Sequence, residues 1–125
     1  MTKSVLAIGL DPAFADLSAF PGLTAELVRS YIEAQVQKLK LAGYDAIGCL
    51  IDLGESAEEV TARTLTSKNF DCVVVGAGLR QPPAQLLLFE RILNLIHTLA
   101  PTAKIWFNTT PADTLEAVQR WVRPP

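Results

Sequence analysis

Four short, almost wholly apolar runs punctuate this chain, and the stretches between them carry apolar residues at helical spacing. The runs are Val5–Leu10 (VLAIGL), Ala46–Ile51 (AIGCLI), Asp71–Val75 (DCVVV) and Lys104–Phe107 (KIWF). A strand with one wet face alternates apolar and polar residues, whereas a run apolar throughout reads as a strand covered on both faces. After the first run, the connection 11–23 (DPAFADLSAFPGL) leads to Thr24. That residue is placed to cap a helix carrying Leu27, Val28, Tyr31, Ile32, Val36 and Leu39, which Gly43 stops. Ser56 and Glu59 make an S-x-x-E pair, which predicts a second helix from about Ala57. Pro82 and Pro83 suit a place just before or in the first turn of a third helix, which runs to about Leu99 and is closed by Pro101. Thr110, Pro111 and Asp113 supply a cap, a first-turn proline and an acid for a last helix carrying Leu115, Val118, Trp121 and Val122.

Strict strand–helix alternation places parallel strands between two helical layers, because a right-handed crossover returns each helix to a face of the sheet. The expected fold is a three-layer α/β/α sandwich, one domain over residues 1–125. Its four-stranded parallel sheet is expected in the flavodoxin-like order 2-1-3-4, with a Rossmann-like 3-2-1-4 order as the alternative. In the first order the strands bearing Cys49 and Cys72 flank strand 1, roughly 9–10 Å apart. A disulfide usually needs Cα atoms within about 7 Å. Both cysteines are therefore expected as buried thiols.

The composition narrows the function classes. The 125 residues carry 11 Lys and Arg against 13 Asp and Glu, with no basic run, so nucleic acid is not an expected partner. No apolar stretch approaches membrane length. Val5–Leu10 is too short for a signal core and reads as a strand, which implies a cytoplasmic protein. A single histidine, His97, and no Cys/His cluster argue against a metal site, and no cofactor is expected. His97 falls on the polar side of the third helix, with Glu90, Asn94 and Thr98.

In open parallel sheets, ligands bind beyond the carboxyl ends of the strands, where the strand order reverses. Those ends carry Asp11, Asp52, Gly76-Ala77-Gly78-Leu79-Arg80 and Asn108-Thr109-Thr110. The pair Gly76 and Gly78 is not a dinucleotide fingerprint, since Gln81 stands where the third glycine belongs, and no P-loop pattern occurs. Two readings remain. In one, the glycine amides, a following helix N-terminus and the Arg80 guanidinium hold a phosphate or carboxylate. In the other, the glycines only turn a strand into a helix. Asp11 is either an acid at the mouth of the crevice or the head of an Asp-Pro turn. The ligand-binding candidates are Asp11, Gly76, Ala77, Gly78, Arg80, Asn108 and Thr109.

The length and strand pattern resemble response-regulator receiver domains. That resemblance implies an acidic pair after strand 1, a phosphoacceptor aspartate after strand 3, Thr or Ser after strand 4 and a Lys after strand 5. This chain offers Asp11 alone, Gly76-Ala77-Gly78 in the phosphoacceptor position and Thr109 after strand 4. It has no fifth strand, so aspartyl phosphorylation is not expected. The text FDCVVVGAGLR, LLLFERILNLIH, FNTTPADT and RWV is similar to that of small stand-alone bacterial proteins, a resemblance that brings no activity with it.

The expected function is a non-catalytic binding or regulatory module holding a small anionic or nucleotide ligand. The alternatives are a small enzyme on a phosphorylated or carboxylated metabolite, and a dimeric interaction module. Against the enzyme, the strand ends pair no nucleophile with a base. For the homodimer, the third helix is apolar over half its circumference, wider than the ~100° a sheet face needs. Trp106, Phe107 and Trp121 also gather at an edge strand.

Overall fold

The computed structural model describes residues 3–54, 56–108 and 114–120. Four parallel strands form one sheet, β1 (Ser4–Leu10), β2 (Asp45–Ile51), β3 (Cys72–Val75) and β4 (Lys104–Phe107), in the flavodoxin-like order β2-β1-β3-β4. The helices are α1 (Ala25–Leu41), α2 (Ser56–Thr66), a single turn α3 (Ala77–Arg80), α4 (Leu86–Leu99) and α5 (Thr114–Gln119).

Alternate residues of the all-apolar strands feed two separate cores. Leu6, Ile8 and Leu10 of β1 and Val73 and Val75 of β3 meet Ala57 and Leu65 of α2 and Ile92 and Ile96 of α4. On the other face Val5, Cys72, Val74 and Trp106 meet Leu39 of α1 and Ala117 and Val118 of α5. The cysteines are divided the same way. Cys49 lies opposite Ile8 and Cys72 opposite Val5, three positions apart on β1, so they point to opposite faces of the sheet. Both thiols are free and buried.

Helix α1 begins and ends on the expected residues. Thr24 Oγ1 accepts the Leu27 N–H at 3.1 Å. At the far end Gly43 takes φ 100°, with Gly43 N–H bonded to Lys40 O and Tyr44 N–H to Leu39 O, a Schellman closure. Helix α2 starts differently from the predicted capping pair. The Ser56 hydroxyl donates to Asp52 Oδ2 at 2.6 Å, and Glu59 pairs with Arg63 instead of reaching back. The third predicted helix is split. Pro83 opens a 3-10 turn (Pro83–Gln85), α4 begins only at Leu86, and α3 precedes both. The wide apolar stripe of α4 is largely used inside the chain. Ile92 and Ile96 are fully buried, while Leu88, Phe89, Leu93, Leu95 and Leu99 pack against the core, leaving Leu86 and Leu87 exposed. His97 is exposed. Thr109, Thr110, Pro111, Asp113, Trp121 and Val122, named from the sequence, lie outside the described residues.

Candidate functional site at the carboxyl ends of the strands

β1 and β2 overhang their neighbour. Ile8 pairs with Val75, the last residue of β3, while Gly9 and Leu10 continue alongside Leu50 and Ile51. The step this leaves at the strand-order switch is roughly 6–7 Å, two residues of strand rise. α3 lies in it. The Gly76 N–H bonds Ile8 O at 2.8 Å, and a Cβ on Gly76 would stand 3.4 Å from Ile8 O and 3.5 Å from Gly9 Cα. A Cβ on Gly78 would sit 3.6 Å from Leu10 Cβ. Gly76 has φ −70°, and among described residues Gly43 alone has positive φ. Both Gly76 distances are ordinary van der Waals contact, so neither space nor a left-handed backbone demands glycine at position 76.

Asn108, buried just beyond β4, ties this turn to the far side of the sheet. Its Oδ1 accepts the Ala77 N–H at 2.8 Å, capping α3, and its Nδ2 donates to Thr114 Oγ1 in α5 at 3.0 Å. Arg80 completes the loop, with Nη2 donating to the Asn108 carbonyl oxygen at 2.6 Å. The guanidinium carbon stands 5.4 Å from the centre of the Phe107 ring, which meets Phe89 edge-on at 5.8 Å. Arg80 Nε is buried and has no hydrogen-bond partner among the described residues.

Asp11 takes the turn geometry and gains a partner that the sequence reading did not name. Its Oδ1 accepts the Ala13 N–H at 3.0 Å and Arg29 Nη2 at 2.6 Å. The Ala13 amide holds the carboxyl below its ordinary range; partial burial pulls the other way, and Arg29 adds to the lowering. Asp52 is likewise engaged locally, by the Gly54 N–H at 3.0 Å and by Ser56.

The structure thus brings Gly76, Ala77, Gly78, Arg80 and Asn108 into one bonded cluster and gives Asp11 to α1. Sequence reasoning missed Arg29 and Thr114. Arg29 belongs to the first turns of α1, 18 positions beyond Asp11, and no local pattern links the two. Neither cysteine is primed as a nucleophile. Burial pushes the Cys49 thiol up, and burial together with the nearby Asp71 pushes Cys72 up to about 12, so neither supplies thiolate near neutrality. Among the described residues no three His, Cys, Asp or Glu side chains gather as a metal site, and no helix is long and apolar enough to cross a membrane. Compared with protein-family models, curated proteins and solved structures, the chain finds no match in any of the three.

Proposed function

We propose that the protein is a cytoplasmic, non-catalytic binding or regulatory module of receiver-like architecture, working through the carboxyl end of its sheet. One observation carries this reading: the polar groups at the strand ends hold one another. Asn108 serves Ala77 and Thr114, Arg80 serves Asn108, and Asp11 serves Ala13 and Arg29. A general base or nucleophile needs a group free to meet substrate, and these are engaged as a brace. The two free, buried cysteines suit a reducing compartment.

A second reading, in which the same end holds a small anion, is favoured by Arg80, whose Nε has no partner. A thermal-shift panel of nucleotides, phosphorylated sugars and carboxylates on wild type and Arg80→Ala tests both. A ligand at ~100 times its Kd adds about 2.7 kcal/mol. A shift lost in Arg80→Ala places an anion at the guanidinium, and recovery of the ligand unchanged after long incubation supports a module. Conversion of the ligand to a product overturns the non-catalytic reading. Silence across the panel removes the small-anion reading and leaves a protein as the ligand.

A further inference from the structure

The two ends of the sheet differ in more than polarity. Phe14, Phe20 and Leu53 in the segments that follow β1 and β2, and Leu86 and Leu87 in the first turn of α4, are exposed large apolar side chains at the carboxyl end, Leu87 to 66% and Phe20 to 56%. The same end carries the acids Asp16, Glu26 and Asp52, none with a cationic partner among the described residues, as well as Arg29 and Arg80, which are engaged with Asp11 and Asn108. Every lysine of the chain lies at the opposite, amino end: Lys3 before β1, Lys38 and Lys40 in the last turn of α1, Lys68 before β3 and Lys104 at the start of β4. That end also carries Asp45, paired with Lys68, and Asp71 before β3; beside Lys40, at the end of α1, Leu41 is 87% exposed, the most exposed large apolar side chain described. Helix dipoles favour acids at helix starts and lysines at helix ends, which accounts for part of the charge division. They give no reason for Phe20, Leu86, Leu87 and Leu41 to stand in water.

We propose that the carboxyl end of one copy docks the amino end of a second copy, with Leu41 entering the apolar patch and Lys38 and Lys40 facing Asp16, Glu26 and Asp52. This rests on the binding-module reading and names the partner as the chain itself. Both complementary surfaces are on the molecule, so charge pairing selects a head-to-tail contact and opposes pairing of two like ends. A head-to-tail contact uses different patches on its two sides and therefore extends into rings or linear chains rather than closing as a two-fold dimer.

The test uses two variants that each block one end, Leu86→Glu/Leu87→Glu and Lys38→Glu/Lys40→Glu, in sedimentation velocity from 5 to 500 μM (about two decades of concentration, spanning weak association). Circular dichroism and thermal melts of each variant alone confirm that it is folded. Should either charge-reversed pair not fold, Leu86→Ser/Leu87→Ser and Lys38→Gln/Lys40→Gln replace them. Wild type is expected to grow in mean mass with concentration and to shrink toward monomer as salt is raised, because exposed charge pairs are screened. Each variant alone is expected to remain monomeric, and an equimolar mixture to form one-to-one dimers, since each retains the end the other has lost. Wild type that stays monomeric throughout overturns the proposal, even where the ligand panel succeeds. A wild-type dimer that Lys38→Glu/Lys40→Glu leaves intact also overturns it, in favour of like ends pairing through the carboxyl-end patch. A mixture that stays monomeric when wild type associates overturns it as well.

Discussion

Asn108→Ala is the substitution that most directly tests how the carboxyl end is held. It deletes the acceptor for the Ala77 N–H and the donor to Thr114 Oγ1, both in buried surroundings, and fills neither place. A buried amide left unpaired costs about 1–3 kcal/mol, and loss of an ordinary hydrogen bond about 0.5–1.5 kcal/mol. The expected destabilisation is therefore about 2–4 kcal/mol. At roughly 2.1 cal/mol/K of unfolding entropy per residue, about 4 °C of Tm corresponds to each kcal/mol in a chain this long, so the midpoint should fall by about 8–16 °C. Asn108→Asp supplies the control, because a carboxylate oxygen still accepts from Ala77 and another accepts from the Thr114 hydroxyl, with Arg80 beside it. It should lose less than half as much as the alanine variant. Urea melts of both proteins read this directly. A loss below about 1 kcal/mol for Asn108→Ala, or an aspartate variant no better than alanine, would refute the brace.

The two glycine classes should behave oppositely: Gly78→Ala, with ordinary φ and only Leu10 Cβ in contact, should gain about 0.4–1 kcal/mol, while Gly43→Ala at φ 100° should lose about 1–2 kcal/mol in the same denaturation assay. Asp11→Asn keeps an acceptor for Ala13 but loses the ion pair with Arg29, both side chains about a third exposed, so about 0.5 kcal/mol is expected near neutral pH. Because the folded pKa of Asp11 is lowered, its stabilisation is complete above the unfolded value near ~3.9 and is lost as pH falls through the folded one. Wild type and variant should therefore converge in stability in strong acid, and an equal gap at neutral and acid pH would count against the assignment. Arg80→Ala removes a bond to Asn108 O and the contact over Phe107, and should lower the Tm by a few degrees, about 1–2 kcal/mol, without altering the circular dichroism spectrum.

The sheet was legible because burial on both faces leaves its mark on each residue of a strand. VLAIGL and CVVV need no partner to be recognised, and the lengths between them allow few orders. The cap of α1 was legible for the same local reason, since Thr24 acts three residues away. α3 was not: four residues carry no periodicity, and the proline pair after them drew the helix start toward Pro83, whereas α4 begins at Leu86. Ser56 illustrates a competition that a motif does not reveal, because Asp52 offers its hydroxyl a charged acceptor one turn earlier. At the site, the Asp11 turn followed from its own neighbours. Its bond to Arg29 and that of Asn108 to Ala77, 31 residues distant, exist only once the sheet has brought the elements together.

The thiols on opposite faces of the sheet give the molecule two independent recorders of its own breathing. Cys49 is sealed by the α2–α4 layer and Cys72 by the α1–α5 layer, with the sheet between them. A thiol reagent reaches each only when its own layer lifts, so the two modification rates are separate opening frequencies. Equal rates would mean that the protein opens only as a whole. Unequal rates would rank the layers as cooperative units, and the ratio would convert into a free-energy difference between two partial openings.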